Sequence, residues 1–382
     1  MKEQFKYRFN YFIHQIGVMF FPYIALYLKD RGYNGMQYGA VMSFTPIVIA
    51  LTLPLCGLLD KGSRGRKTMA TVFSFVITAS AWLMIGIDSL TAIIIAVFFA
   101  SAAKAAITTS IDGATTVYCV ETGQEFSRYR SFSSLGYIAA NLVGAFLYDK
   151  TGFTSILVIS SVGILLYVFG WSRLKPLNLD AYSEKKKPDF KLLMKNKAFL
   201  MFLVYQTLCF AMMTFINNYD IVYQKFRDLP SYVFGITTLI RVGVEILTFY
   251  VLSRSKLSYK TMLVLAPVFF LIQSILYYFL IPTDFIYFLM CFAGMGSGLV
   301  IFANNKYLNK IVRPINITIG LYISAMVQNL FTGAATLIGG AVIDALGIRY
   351  IFMGSAITLI AAFIFTIVFI RKEDGVLATL SD

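Results

Sequence analysis

Twelve apolar runs, each about 20 residues or longer and nearly free of charge, limit what this chain can become. A helix needs about 20 apolar residues to cross the hydrocarbon layer of a bilayer. Inside that layer every backbone N–H and C=O must find a partner within the chain. The runs fall at roughly 9–28, 35–58, 68–87, 90–118, 131–149, 153–172, 198–222, 231–253, 261–281, 284–306, 317–343 and 348–370. They are too long and too continuously apolar for barrel strands, whose residues alternate. An all-α membrane protein with twelve transmembrane helices is therefore expected. Charged residues make up 14% of the chain, against about a quarter of a soluble one, and they gather in short bursts between the runs.

Those bursts orient the chain. With the N-terminus in the cytoplasm, 25 of the 33 Lys and Arg residues fall on the inner side and six on the outer side (Lys29, Arg31, Lys150, Lys225, Arg227, Arg349). The positive-inside rule sets that bias, and it requires both termini inside and an even number of spans. The net charge of +14 is thus read as orientation, and no nucleic-acid partner is expected. The start, MKEQFKYRFNYF, leads into a full-length apolar segment without a small-residue cleavage site, so the first span is expected to remain. The expected location is the plasma (inner) membrane, multi-pass, as a monomer whose partners are the lipid bilayer and a small-molecule substrate. Trp82 and Trp171 fall near span ends, where amphipathic rings suit the headgroup zone. Cys56, Cys119, Cys209 and Cys291 lie at no metal-ligand or redox spacing and read as small core residues.

The longest polar stretch, 173–197, divides the chain into an N-terminal six-helix half (1–172) and a C-terminal six-helix half with a short cytoplasmic tail (198–382). Two internal matches support duplication. Gly144, Asp149 and Gly152 form G-x4-D-x2-G late in the fifth span, and Gly339, Asp344 and Gly347 repeat it 195 positions later in the eleventh. Lys67-Thr68-Met69 opens the third span, and Lys260-Thr261-Met262 opens the ninth 193 positions later. Matching span numbers at nearly one offset indicate two pseudo-symmetric halves.

The loop after the second span contains Gly57, Asp60, Lys61, Gly62, Arg64, Gly65, Arg66 and Lys67. It resembles the G-x3-D-[RK]-x-G-R-[RK] signature of the major facilitator superfamily, with Asp60 one position nearer Gly57. The resemblance implies the major facilitator fold, with Asp60, Arg64 and Arg66 as a conformational latch. The bland alternative is a basic inner loop. A narrower resemblance lies in I111-D112-G, F126-S-R128-Y-R130-S-F and G136-Y137. It is similar to the oligosaccharide:proton symporter (lactose permease) group and its phenylpropionate-permease-like relatives, which carry an acid, an Arg 18 residues on and an aromatic 7 beyond. The resemblance makes Asp112, Arg130 and Tyr137 substrate-binding residues: acid and Arg bond sugar hydroxyls, and the aromatic stacks on the ring. Independently, an ionisable side chain within a span marks a candidate site, and a carboxylate–guanidinium pair suits a hydroxylated solute. A plain helix–helix ion pair is the alternative.

In the second half, Tyr219 and Asp220 match the family's Y-D-x2-D-Q-x-F stretch, with Tyr223 in place of the second acid. Its buried Lys falls at Gln328, its proton-coupling Arg at Gln273, and its His and Glu near Ala293 and Gly296. Asp220 and Gln328 join the candidate substrate set. Arg241 and Glu245 are one turn apart and share a helix face. Glu245 also resembles an acid of the phenylpropionate-permease-like relatives. An acid held in low dielectric can carry a proton near neutral pH, so Glu245 with Arg241 is the candidate for proton coupling, against a static ion pair. Lys104 in mid-span would contact an anionic solute or pair with an acid. His14, the only histidine, reads as a packing residue before a proton relay, and amides such as Asn304 and Asn329 bridge helices about as often as they bind ligand.

The resulting expectation is a secondary transporter of a small polar solute, a sugar or oligosaccharide, working by alternating access with the proton as coupling ion and no other cofactor or metal. The alternative is a major facilitator exporter of a drug or hydrophobic metabolite. Enzyme chemistry is not expected. The sequence has no phosphate-cradling G-x4-G-K-[ST] loop, no H-E-x-x-H and no G-x-S-x-G.

Overall fold

A computed structural model describes residues 3–59, 62–87, 89–175, 190–312 and 316–378. In chain order its helices are α1 (Glu3–Gly17), α2 (Phe20–Asp30), α3 (Gly35–Leu59), α4 (Gly62–Gly86), α5 (Leu90–Thr122) and α6 (Ser127–Ser172). There follow α7 (Phe190–Lys195), α8 (Lys197–Tyr205), a π-helical turn (Gln206–Phe210), α9 (Ala211–Phe226), α10 (Ser231–Arg254), α11 (Tyr259–Tyr278), α12 (Phe285–Ile311), α13 (Ile317–Leu346) and α14 (Arg349–Ala378). No strand occurs among the described residues. Eleven helical segments there are long and apolar enough to cross a membrane. One of them, α6, has 46 residues, about 69 Å of helix, twice what the hydrocarbon layer accommodates. It bends at Gly152, where φ is 73°, and so supplies two spans. The twelve expected spans are all present.

The chain forms two compact units. One comprises Met1–Lys185 with Gln224–Gly235; the other comprises Lys186–Tyr223 with Ile236–Asp382. Each turns its apolar side chains outward: Phe75, Phe99, Leu165, Leu247, Ile338 and Ile364 are each at least half exposed. The polar Asn10, Ser74, Ser101, Thr115 and Asn141 are buried in the first unit, and Ser274, Thr332 and Thr336 in the second. A lipid-facing protein has this distribution, because hydrocarbon favours apolar contact while polar groups must find partners inside. Thr115 and Thr336 bond the carbonyls one turn back, Ile111 and Thr332. Trp82 sits at the surface and donates its indole N–H to Ser161 at 2.9 Å. Trp171 does not reach the surface: it is buried and stacks on Tyr167. Cys56, Cys119 and Cys209 are buried, as core residues are, and Cys291 is partly so.

Within the first unit, α1 lies backbone-to-backbone against both legs of α6. A Cβ at Gly136 would stand 2.4 Å from the Phe12 carbonyl oxygen, and one at Gly163 2.7 Å from the Gly17 nitrogen. Hydrogen alone fits there, and such small-residue contacts let membrane helices approach closely.

The internal repeat is visible as geometry. In the first unit Tyr23 donates to the Asn141 carbonyl at 2.7 Å, and its ring packs where Gly144 has no side chain. In the second, Tyr219 donates to the Thr336 carbonyl at 2.6 Å, and its ring packs against Gly339. Each repeated motif then ends at a glycine in the left-handed region, Gly152 at φ 73° and Gly347 at φ 99°, where an L side chain would be strained. The G-x4-D-x2-G pattern thus encodes a helix contact and a turn, once per unit. Each unit's first membrane helix is also irregular. The first breaks between α1 and α2 at Val18 and Met19, and the π-helical turn interrupts α8 and α9.

Replacing Gly163 with Leu forces side-chain atoms into α1 and should cost about 1–3 kcal/mol or more. Gly86→Leu, with nothing within 4 Å of its Cβ, should leave the protein intact. Fluorescence-detected size exclusion of tagged protein is expected to show loss of the monodisperse peak for the first variant alone.

Candidate functional site

The most distinctive polar cluster of the first unit joins α1, α5 and α6. Asp112 lies on α5 and Arg130 in the first turn of α6, with Arg130 Nε 3.9 Å from Asp112 Oδ1. The sequence pairs these two, but it does not reveal the third member, Tyr11 on α1. Its hydroxyl donates to the same Oδ1 at 2.6 Å, while its ring lies 5.8 Å from the Arg130 guanidinium carbon. Tyr11 is 1% exposed, whereas the Arg130 and Asp112 side chains are 46% and 35% exposed. A fully buried phenol therefore fixes one carboxylate oxygen while the acid and the guanidinium remain partly exposed. The pair is accessible and ordered at once, which suits recognition of hydroxyl groups.

Tyr137 stands seven residues beyond Arg130 on α6, about 10 Å further along the axis, and is half-buried. Beside Asp112, the bare Cα of Gly113 makes room for an arginine, since a Cβ there would be 3.1 Å from the Arg66 Cζ. Arg66 is 8% exposed and lies flat on α5 because Gly113 carries no side chain. Of the suggested latch, Asp60 lies outside the described residues, as does the Arg64 side chain, while Arg66 is in place against α5. His14 is buried, its Nε2 has no hydrogen-bond partner, and its ring lies 5.7 Å from that of Tyr167. It lies in the last turn of α1. Lys104 lies in mid-α5 with its ammonium 4.4 Å from the centre of the Phe21 ring.

The second unit treats its polar groups differently. Asp220 on α9 is 5% exposed and accepts a hydrogen bond from the Tyr277 hydroxyl on α11. Tyr277 is buried; its ring is 4.2 Å from that of Tyr223 and packs edge-on to Phe352. The result is a sealed aromatic nest around a carboxylate. Gln328 on α13 is half-buried and donates to Thr214 at 3.4 Å. Thr214 and Asp220 are six residues apart on α9, so they look out from different faces of that helix. Asn304 donates to Gln206, the first residue of the π-helical turn, at 2.9 Å. Arg241 and Glu245 share one face of α10 and are both half-buried, but they form no ion pair. Their backbone is covered instead by α12: Gly294 lies against the Arg241 carbonyl and Gly298 against Thr248 and the Glu245 carbonyl.

Comparison with known proteins fits this architecture. The family described as "MFS_1 like family" matches residues 5–354. The chain belongs to that family. Two curated relatives align along nearly its whole length. "Uncharacterized transporter YwbF" of Bacillus subtilis (strain 168) is 23% identical over 358 residues, 93% of this chain and 90% of that protein. "Maltose permease" of Geobacillus stearothermophilus is 23% identical over 362 residues, 92% and 91% of the two chains. Among solved structures, a single-residue mutant of the nucleoside transporter NupG superposes with a TM-score of 0.81 at 15% identity, covering 96% of this chain and all of that one. A POT family transporter in complex with 5-aminolevulinic acid gives 0.72 at 13% identity, covering 97% and 94%. These structures share the fold. As a member of the MFS_1 like family with the major facilitator fold, the chain is a multi-pass membrane transporter of a small solute and not an enzyme.

The sealed nest should act on stability. Tyr277→Phe removes the donor to a buried carboxylate and should cost about 1.5–3 kcal/mol. Thermal unfolding of the purified protein should show a lower midpoint. Tyr277→Phe combined with Asp220→Asn should lose less than the two single losses together, because the partners interact directly.

Proposed function

We propose that this protein is a secondary transporter of a hydroxylated, sugar-like solute, which docks on the Asp112–Arg130 pair. One observation carries the reading: a carboxylate pinned by the buried Tyr11 and facing a guanidinium, with both side chains about two-fifths exposed. Exposed ion pairs contribute little stability, so stability alone does not account for an open pair held by a buried third group. An open pair oriented by a third group is preorganised for a ligand. Hydroxyls of the solute would accept from Arg130 and donate to Asp112, and Tyr137 would offer its ring further along α6. In the second unit Gln328 is the amide proposed for solute contact, while Asp220, being sealed, holds α9 to α11. The kinship with the lactose permease group rests on the Asp112, Arg130 and Tyr137 spacing, and the maltose permease among the relatives is in keeping with it.

In this reading transport is driven by the proton, and Glu245 carries it. An acid in a span is costly unless neutralised, and Arg241 does not neutralise it by direct pairing, so the carboxyl is left to be loaded and unloaded. The route is alternating access across the plasma (inner) membrane with both termini in the cytoplasm, the protein acting as a monomer. Arg66, lying on α5 next to Asp112, would sense the state of the site at the inner side together with Asp60 and Arg64.

Uptake into proteoliposomes tests this. A labelled sugar accumulated by wild type should be lost in Arg130→Ala and Asp112→Asn, by tenfold or more. Full tolerance of Asp112→Asn would indicate an apolar cargo instead. Glu245→Gln should keep counterflow but abolish accumulation driven by an inward proton gradient; equal accumulation by mutant and wild type would remove the coupling role.

A further inference from the structure

Among the described residues, the two ionisable groups of α5 within the span, Asp112 and Lys104, are treated differently. Asp112 and Arg130 answer one another at 3.9 Å. Lys104 has no such answer: no carboxylate among the described residues comes within ion-pair distance of it. It is the fifteenth residue of the 33-residue α5, so about 21 Å of helix separates it from one end and about 27 Å from the other. That is too far for its ammonium to snorkel to a headgroup. Its neighbour is the Phe21 ring, 4.4 Å away, and Phe21 is itself buried. A cation–π contact is worth up to about 2 kcal/mol when desolvated. A charged lysine in mid-membrane costs several, about 2.5–3.5 kcal/mol on insertion scales and more in apolar surroundings. The ring offsets only part of that cost.

The titratable neighbour nearest in kind adds no negative charge. His14 lies within electrostatic range of both Lys104 and Arg130, is 2% exposed, and keeps an unpartnered Nε2. Asp112 is thus answered by Arg130, with the buried Arg66 also next to it on α5, and no acid among the described residues lies within ion-pair distance of Lys104. Lys104 is half-buried, and charges within a span are retained where they are paired or functional. Here the partner has to arrive from outside.

We propose that the transported solute is a hydroxylated organic acid, of the sugar-acid class, whose carboxylate takes Lys104 as its counter-ion. The inference rests on the reading that Asp112 and Arg130 hold the hydroxyls. Eight residues of α5 separate Asp112 from Lys104, about 12 Å along the axis, which suits a solute of mono- to disaccharide length engaging both. Phe21 then has a second role. It holds the ammonium in place before the solute arrives, at lower cost than a carboxylate would, because a fixed acid would compete with the ligand for the same charge. His14 stands ready to share in the hydrogen bonding at the carboxylate end.

The test compares acids with their neutral parents on detergent-purified full-length protein, by thermal shift at constant ionic strength. The probes are glucuronate with glucose, galacturonate with galactose, and lactobionate with lactose. At least one acid should stabilise wild type at a concentration tenfold or more below that needed for its parent. Lys104→Gln should erase that preference, and Lys104→Arg should restore most of it while serving as the folding control. A neutral parent that binds as well as its acid overturns the inference, as does an acid preference that survives Lys104→Gln. Neutral binding that disappears in Arg130→Ala would leave the hydroxyl site standing and remove only the anion. Failure of every acid and every parent to bind would overturn both.

Discussion

The close approach of α1 to α6 is the contact from which the first unit takes its shape. Gly136 lets the Phe12 carbonyl touch one leg of α6, and Gly163 lets Gly17 touch the other. In a membrane, apolar faces gain nothing by leaving lipid for one another, so helices associate where surfaces fit closely. That fit sets the position of α1, and α1 carries Tyr11, His14 and Gln15. Gln15 bonds Ser133 on α6 at 2.6 Å, and Tyr11 reaches Asp112 on α5. The site's orientation is thus a consequence of missing Cβ atoms on the helix behind it.

Both units reuse the same joint, a tyrosine hydroxyl on a carbonyl one helix away with a glycine beneath the ring, yet they use their carboxylates differently. Asp112 is left open beside an arginine. Asp220 is buried and bonded by Tyr277, whose ring packs on Tyr223 and Phe352. A duplicated scaffold supports such divergence because the joint, rather than the acid, maintains the packing.

Much of this was legible in the sequence for one reason: the bilayer imposes a length and a polarity on every span. The twelve spans followed from that constraint, while Asp112 and Arg130 stood out through the spacing they share with the lactose permease group. The repeated glycines were visible as a pattern, although their work beneath Tyr23 and Tyr219 was not. What escaped depends on contacts between distant segments. Tyr11 is one of 24 tyrosines, and nothing in its own neighbourhood announces a carboxylate 101 positions away. The packing of Arg66 on Gly113 is of the same kind. The break at Val18 and Met19 carries no proline or glycine pair at the break itself, and the burial of Trp171 reflects which way its helix faces. Helix facing is poorly encoded where both lipid and core are apolar.

The contrast between an open and an enclosed carboxylate bears on how such a protein can change. Partly exposed ion pairs contribute little to holding helices together, so exchanges at positions 112 and 130 should disturb folding little, and under the proposed function they would act on selectivity. Position 220 is the reverse: its buried carboxylate bonds Tyr277 on another helix, so altering it should disturb the scaffold. New preferences can therefore be explored by point mutation in one half of the molecule while the other keeps the fold secure.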